Sequence, residues 1–342
     1  MNKKRYLFFD VLKIVATVFV IYNHTHWYLN GSGKIFHLFH IAGFNICKIA
    51  VPIFIMITGF LMLNKETTYA EILKKRIPRI YIAMLITSVI GCLYYKKNIF
   101  VFLVQSIFGA QTTVLYWLWY IYLLITLYLI TPILKKMIKN FDDNDYRVFF
   151  FIFLIIPSSI YFISNFSELA FGKIRLAENV FYQFIYLTNI GYYVAGYYIM
   201  NMKIDKNLNK KVLIFNFLFF ILGFFYLLVG FIIKHDIVEI FYNNIATVGM
   251  SLCTFINFKY FISDLKVNSN LSKLIILLSE SSFGVYLIHV FVAEYLVRLS
   301  VVKQLLQFNS LIGHVCIVSV TYIFLSFLFV ILRKIPLFRK IF

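Results

Sequence analysis

The chain has 342 residues, 62% of them hydrophobic and 14% charged, with a mean hydropathy of +0.85 and a formal net charge of +19. A soluble domain of this length carries roughly 25% charged residues, so the composition points instead to a polytopic membrane protein. The apolar runs are continuous, which argues against a β-barrel, and the positive charge reads as cationic loops on anionic lipid, with no nucleic-acid partner expected.

The first apolar run, 8–29, is long enough to span a bilayer, yet it carries Asp10, Lys13, His24 and His26. Ionisable groups inside a lipid-embedded helix are costly and usually face a protein interior or a wet cavity. Lys13 and His24 enclose ten residues. At about 100° per residue they fall about 20° apart on one helix face, roughly 16 Å apart along the axis. Asn23 and His26 extend this polar stripe. Asp10, three residues before Lys13, is placed to pair with it. A histidine in a secluded polar cavity can take a proton from a hydroxyl. The basic start, MNKKR, resembles a signal peptide. Asp10 and Lys13 interrupt the apolar run, and no small-x-small site follows before Trp27, so an uncleaved first span is expected.

Further along, His37 and His40 form an HxxH pair without a nearby third ligand, so no metal site is expected. Within 44–63, Pro52 predicts a break or kink, and Thr58-Gly59 permits close backbone approach. The run Lys74-Lys75-Arg76-Ile77-Pro78-Arg79 follows, and Pro78 suits the first turn of a helix. A helix starting there would turn its positive end to the cytoplasm beside Arg76 and Arg79, an anion site suited to phosphates. The plainer reading is a cationic cytoplasmic loop. The segment 96–114 is apolar enough to lie as a half-buried helix in the interface. Trp117, Trp119 and Tyr120 enter the fourth span from outside, where aromatics form an interfacial belt or stack on sugar faces. In the ninth span Tyr286 and His289 share a face, while Glu280 lies out of phase with His289. The cysteines Cys47, Cys92, Cys253 and Cys316 are isolated and read as small core residues.

About ten spans are expected, at 7–29, 44–63, 79–95, 115–134, 148–164, 179–200, 212–233, 238–258, 274–297 and 311–332. With the N-terminus inside, the cytoplasmic connections hold 23 Lys and Arg and the external ones 8. That bias places both termini in the cytoplasm. The fold class is all-α, a polytopic transmembrane helix bundle. No connection is long enough for a soluble extracytoplasmic domain, so 1–342 reads as a single membrane domain.

In order along the chain, these residues resemble the acyltransferase 3 family of integral membrane acyltransferases. Lys13-x10-His24 is similar to its Arg/Lys-x10-His signature, with Asp10 ahead of it. The stretch from Phe54 through Thr58, Gly59 and Phe60 is similar to its Phe-x-x-x-Ser-Gly-Phe, with Thr58 in place of serine. Arg76-Ile77-Pro78-Arg79 is similar to its Arg-x-x-Arg, Trp119-Tyr120 with Thr131-Pro132 to its fourth-span pattern, and Tyr286-Leu287-Ile288-His289 to its Tyr-Leu-Ile-His. The resemblance implies transfer of an acyl group, usually acetyl, from cytoplasmic acetyl-CoA or another acyl-CoA to a glycan or glycolipid hydroxyl. It implies a multi-pass protein of the plasma membrane, in a bacterial cell. It assigns His24, Lys13 and Asp10 to catalysis, with His24 as general base or transient acyl carrier. Arg76, Arg79 and Thr58 fall to the CoA donor, and Trp117, Trp119, Tyr120, Tyr286 and His289 to the acceptor. Some members carry a fused SGNH-type esterase domain, and none is expected here. The rival readings are a transporter for an amino acid or a lipid-linked sugar, and a membrane sensor or scaffold. The acceptor's identity, the acyl group and the oligomeric state stay open at this level.

Overall fold

The computed structural model describes residues 5–29, 31, 33–100, 104, 115–172, 184, 186–263 and 267–341. Every element among them is helical. The first half holds α1 (Leu7–Asn23), α2 (Lys34–Cys47), α3 (Ala50–Leu63), α4 (Tyr69–Tyr95), α5 (Trp119–Ile138) and α6 (Asp143–Phe171). The second holds α7 (Leu187–Asn201), α8 (Lys206–Lys234), α9 (Ile245–Ile262), α10 (Ser269–Arg298), α11 (Ser300–Phe308), α12 (Ser310–Leu332) and α13 (Pro336–Ile341). Among the described residues, 8 helices are long and apolar enough to cross a membrane, with α2 and α3 taken as one. α1 and α7 are shorter, 17 and 15 residues. Both still sit in the core: Leu12, Ala16 and Ile21 of α1 and Tyr192, Tyr193 and Val194 of α7 are buried. Each of the ten expected segments holds a helix, and the chain is an all-α polytopic bundle. Its outer wall is apolar, with Phe217 and Leu218 of α8 and Phe324 and Phe327 of α12 exposed. Such a surface is a liability in water and suits hydrocarbon. The expected interfacial helix at 96–114 lies mostly outside the described residues.

α3 and α7 form the tightest crossing. A Cβ added at Gly59 would fall on the backbone carbonyl of Tyr193, and one at Gly196 on the backbone of Met56. Small residues let two backbones meet this closely where helix association relies on packing. α9 secures the far end of α7. The Lys259 ammonium donates to the carbonyls of Ile199 at 2.8 Å, Met200 at 3.0 Å and Met202 at 2.7 Å. Those carbonyls close a helix and have no partner within it.

Three local features depart from the sequence expectations. α2 starts at Lys34, ten residues before the expected second span at 44. The break expected from Pro52 falls just upstream, between Cys47 and Ala50. A proline ring clashes with the carbonyl four residues earlier, which here is Lys48. Next, α4 begins well before Pro78. Thr68 caps it by accepting from the Glu71 N–H at 3.2 Å, and a π-helical turn over Ile72–Arg76 leads into the rest. Arg76 and Arg79 thus lie inside a continuous helix, so the expected helix-terminus anion site does not form. Thr68-x-x-Glu71 is the capping signature that sets the earlier start. Finally, α9 begins at Ile245, behind an Asn244 cap that accepts from the Ala246 N–H at 2.9 Å. Residues 239–243, expected to be helical, are irregular.

The two ends of the described chain meet at one end of the bundle. Arg5 and Arg333 both pair with Glu280, and Arg79 Nε donates to the Ile341 carbonyl at 3.1 Å. Replacing Lys259 with Met removes three charge-assisted hydrogen bonds and leaves three carbonyls unpaired. The expected cost is about 2 kcal/mol or more, read as a lower unfolding temperature in detergent with the helix content unchanged.

Candidate active site

A cavity of about 810 Å³ runs through the bundle. Lys13 and His24 of α1 both line it, so the shared face inferred from their spacing is present. α1 ends at Asn23 and His24 is its C-cap, so the helix carries the stripe to its last turn. Asn23 lines the cavity too, and its Oδ1 is buried without a hydrogen-bond partner. His26 leaves the stripe. It sits in a 3₁₀ turn (His26–Tyr28) and packs on Phe44, 4.3 Å between ring centroids, with His40 at 5.7 Å. Among the described residues no group of His, Cys, Asp and Glu is arranged to hold a metal.

Asp10 is 2% exposed and does not line the cavity. Its carboxylate does not pair with Lys13 as its spacing suggested. Arg5 donates Nε to Oδ2 at 2.8 Å and Nη2 to Oδ1 at 2.9 Å. Ser279 adds its hydroxyl to Oδ1 at 2.6 Å. The guanidinium fork offers two parallel bonds where an ammonium offers one, which is why Arg5 prevails. Lys13 is left facing the cavity.

At the same end, Arg79 lines the cavity and Arg76 does not. Arg76 turns to Glu71 at 3.4 Å. Two charged cavity groups at this end were not singled out as site residues from sequence. Glu280 accepts from Arg5 Nη1 at 2.8 Å and forms an ion pair with Arg333 Nη1 at 2.9 Å. Arg333 follows α12 directly, where a run of loop cations hides it. Thr58 lies deeper. Its hydroxyl donates to the Phe54 carbonyl at 2.8 Å and also hydrogen-bonds the Tyr120 hydroxyl.

At the other end His24 sits among aromatic rings, with Tyr116 at 5.4 Å, Trp27 at 6.4 Å and His289 at 5.2 Å. His289 is fully buried behind the cavity lining. Its Nδ1 donates to the Tyr286 carbonyl at 2.7 Å, which fixes the tautomer and leaves Nε2 as a lone pair with no partner. Trp117 and Tyr286 line the cavity but bind one another's helices. Trp117 Nε1 donates to the Leu287 carbonyl at 3.0 Å, and the Tyr286 hydroxyl to the Trp117 carbonyl at 2.6 Å. Trp119 stacks on Tyr242, 5.4 Å apart and 9° from parallel, so one indole face is already covered.

The irregular segment 239–243 and the α2–α3 break complete this end. Lys48, at the break, pairs with Glu239 at 3.0 Å and lies 3.9 Å over the Phe44 ring. Thr188 of α7 donates to Asn243 Oδ1 at 2.9 Å, and the Tyr192 hydroxyl to the Tyr242 carbonyl at 2.6 Å. The Asn243-Asn244 pair ahead of an apolar run was a readable cap signal for this non-helical stretch.

A family profile described as an acyltransferase domain matches residues 6–331, nearly the whole chain. No curated protein and no solved structure matches it.

A double-mutant cycle tests the pairing of Asp10. Arg5→Gln with Asp10→Asn is expected to show a coupling of about 1–3 kcal/mol in detergent unfolding, against less than about 0.5 kcal/mol for Lys13→Gln with Asp10→Asn.

Proposed function

The chain belongs to the acyltransferase 3 family and is a membrane acyltransferase, and from that premise we propose that it moves an acyl group, acetyl above all, from cytoplasmic acyl-CoA to a hydroxyl of a cell-surface glycan or glycolipid. The observation that carries this reading is the single cavity that holds Lys13 and Arg79 toward one end and His24 at the other. The cationic end suits the phosphates of CoA. The charge bias of the loops supports a cytoplasmic position for that end, and the reading sets the protein in the plasma membrane of a bacterial cell. The length from Lys13 to His24, roughly 16 Å along α1, is comparable to an extended pantetheine arm.

In this reading the thioester carbonyl lies beside His24. The acceptor hydroxyl attacks that carbonyl while His24 takes its proton. The new C–O bond forms, the C–S bond breaks, and the proton passes to the departing CoA thiolate. Lys13 lines the donor channel. Trp119 and Tyr120 face the acceptor, with the free face of Trp119 open to a sugar ring. Trp117, Tyr286 and His289 hold the wall against which His24 rests. Asp10 acts at one remove, by fixing Arg5 and the start of α1. A transporter needs no phosphate-binding end, and nothing among the comparisons points to one.

His24→Ala is expected to lower glycan O-acetylation in cells by about 100-fold or more, at normal protein level and with acetyl-CoA binding retained. Full O-acetylation in that variant would remove His24 from the chemistry. Arg79→Gln is expected to weaken acetyl-CoA binding to the purified protein. Unchanged binding would move the donor elsewhere.

A further inference from the structure

Arg333 stands beside Lys13 and Arg79 at one end of the cavity. Among the described residues it makes one ion pair, to Glu280 Oε2 at 2.9 Å. That carboxylate is shared, because Arg5 holds its other oxygen at 2.8 Å. Arg5 has Asp10 besides, at 2.8 Å, whereas among the described residues Arg333 has its part of Glu280 alone. The Arg333 Nε is buried and has no acceptor. A guanidinium carries five N–H donors in a planar fork. A buried donor left unmade is costly, so an incoming acceptor gains by meeting it. Arg333, Glu280, Ser279, Arg79 and Lys13 all line the same cavity. Glu280 is one-third exposed, so its hold on Arg333 can be released without opening the core.

We infer that Arg333 is a phosphate-binding residue of the acyl-donor site, and that Glu280 holds it in place of the phosphate until the donor arrives. The inference rests on the donor reading above and adds a residue outside the segment 74–79 to it. The fork matches two phosphate oxygens side by side, which an ammonium cannot do. When a phosphate takes Arg333, Glu280 keeps Arg5, so the end of the bundle stays pinned while the site fills. The same chemistry would suit the phosphate of an anionic lipid headgroup, and the experiment separates the two sources.

Purified protein in neutral detergent is titrated with CoA, and separately with acetyl-pantetheine, which lacks the phosphates of the nucleotide end. Arg333→Gln is expected to weaken CoA at least tenfold and leave acetyl-pantetheine within twofold of wild type. Arg333→Lys, which keeps the charge without the fork, is expected to fall between them, and it carries the test if the glutamine variant does not fold. Glu280→Gln is expected to bind CoA at least as tightly as wild type, because the competing carboxylate is gone. CoA affinity unchanged in both Arg333 variants, with wild type binding normally, overturns the inference and spares the donor reading. Absence of CoA binding in wild type overturns both. In nanodiscs, loss of phosphatidylglycerol retention in Arg333→Gln with CoA affinity unchanged assigns the residue to lipid and overturns the inference.

Discussion

An ionised group inside an apolar bundle has to be matched by another, and that requirement organises one end of this protein. Asp10 is buried, so it needs Arg5 and Ser279. Arg5 then reaches Glu280, and Glu280 reaches Arg333. One chain of contacts ties the start of α1 to α10 and to the end of α12. Breaking a buried pair by removing one partner strands a charge, which costs far more than the net worth of the pair. The network therefore sets where α1 enters the bundle, and with it where Lys13 and His24 lie.

The rest of the cavity comes from interruptions of regular helix. Pro52 stops α2 and α3 from being one rod, and Lys48 is turned inward at the gap. Asn244 delays α9, and the stretch before it becomes wall instead of helix. α7 holds that wall through Thr188 and Tyr192, and α7 is itself pressed onto α3 at Gly59 and Gly196. Two backbones in contact leave no slack, so the walls on this side are rigid. Irregular backbone at membrane depth is tolerable where protein buries it or it lines a cavity, and both hold here.

Much of this was legible in the sequence, because a bilayer imposes a coarse and strong pattern. Long apolar runs marked the spans, and Lys13-x10-His24 marked one face of α1. The close approach at Gly59 and the break near Pro52 followed from residue type. What escaped was set by distance along the chain. Arg5, Glu280 and Arg333 share no local pattern, and Arg333 looks like any other cation after a span. The Asp10 pairing failed because a nearby ammonium was preferred to a guanidinium that needed tertiary context to aim it. Arg76 and Arg79 looked like a pair at a helix start because Pro78 outweighed the earlier Thr68-x-x-Glu71 cap. The π-helical turn that follows the cap has no signature in these residues, and there only the structure separates the two arginines.

The Asp10 contacts also bear on how the protein is made. Spans enter the membrane as they leave the ribosome, and α1 enters long before α10. Its partners on α10 lie about 270 residues downstream. At roughly 5–20 residues per second, they follow on the order of tens of seconds later. During that wait a lone carboxylate in lipid would oppose insertion. Arg5, five residues away on the same segment, neutralises Asp10 at once. The pair spares the helix an uncompensated carboxylate, and the later arrival of Ser279 and Glu280 converts a provisional local contact into the clasp that closes the finished bundle.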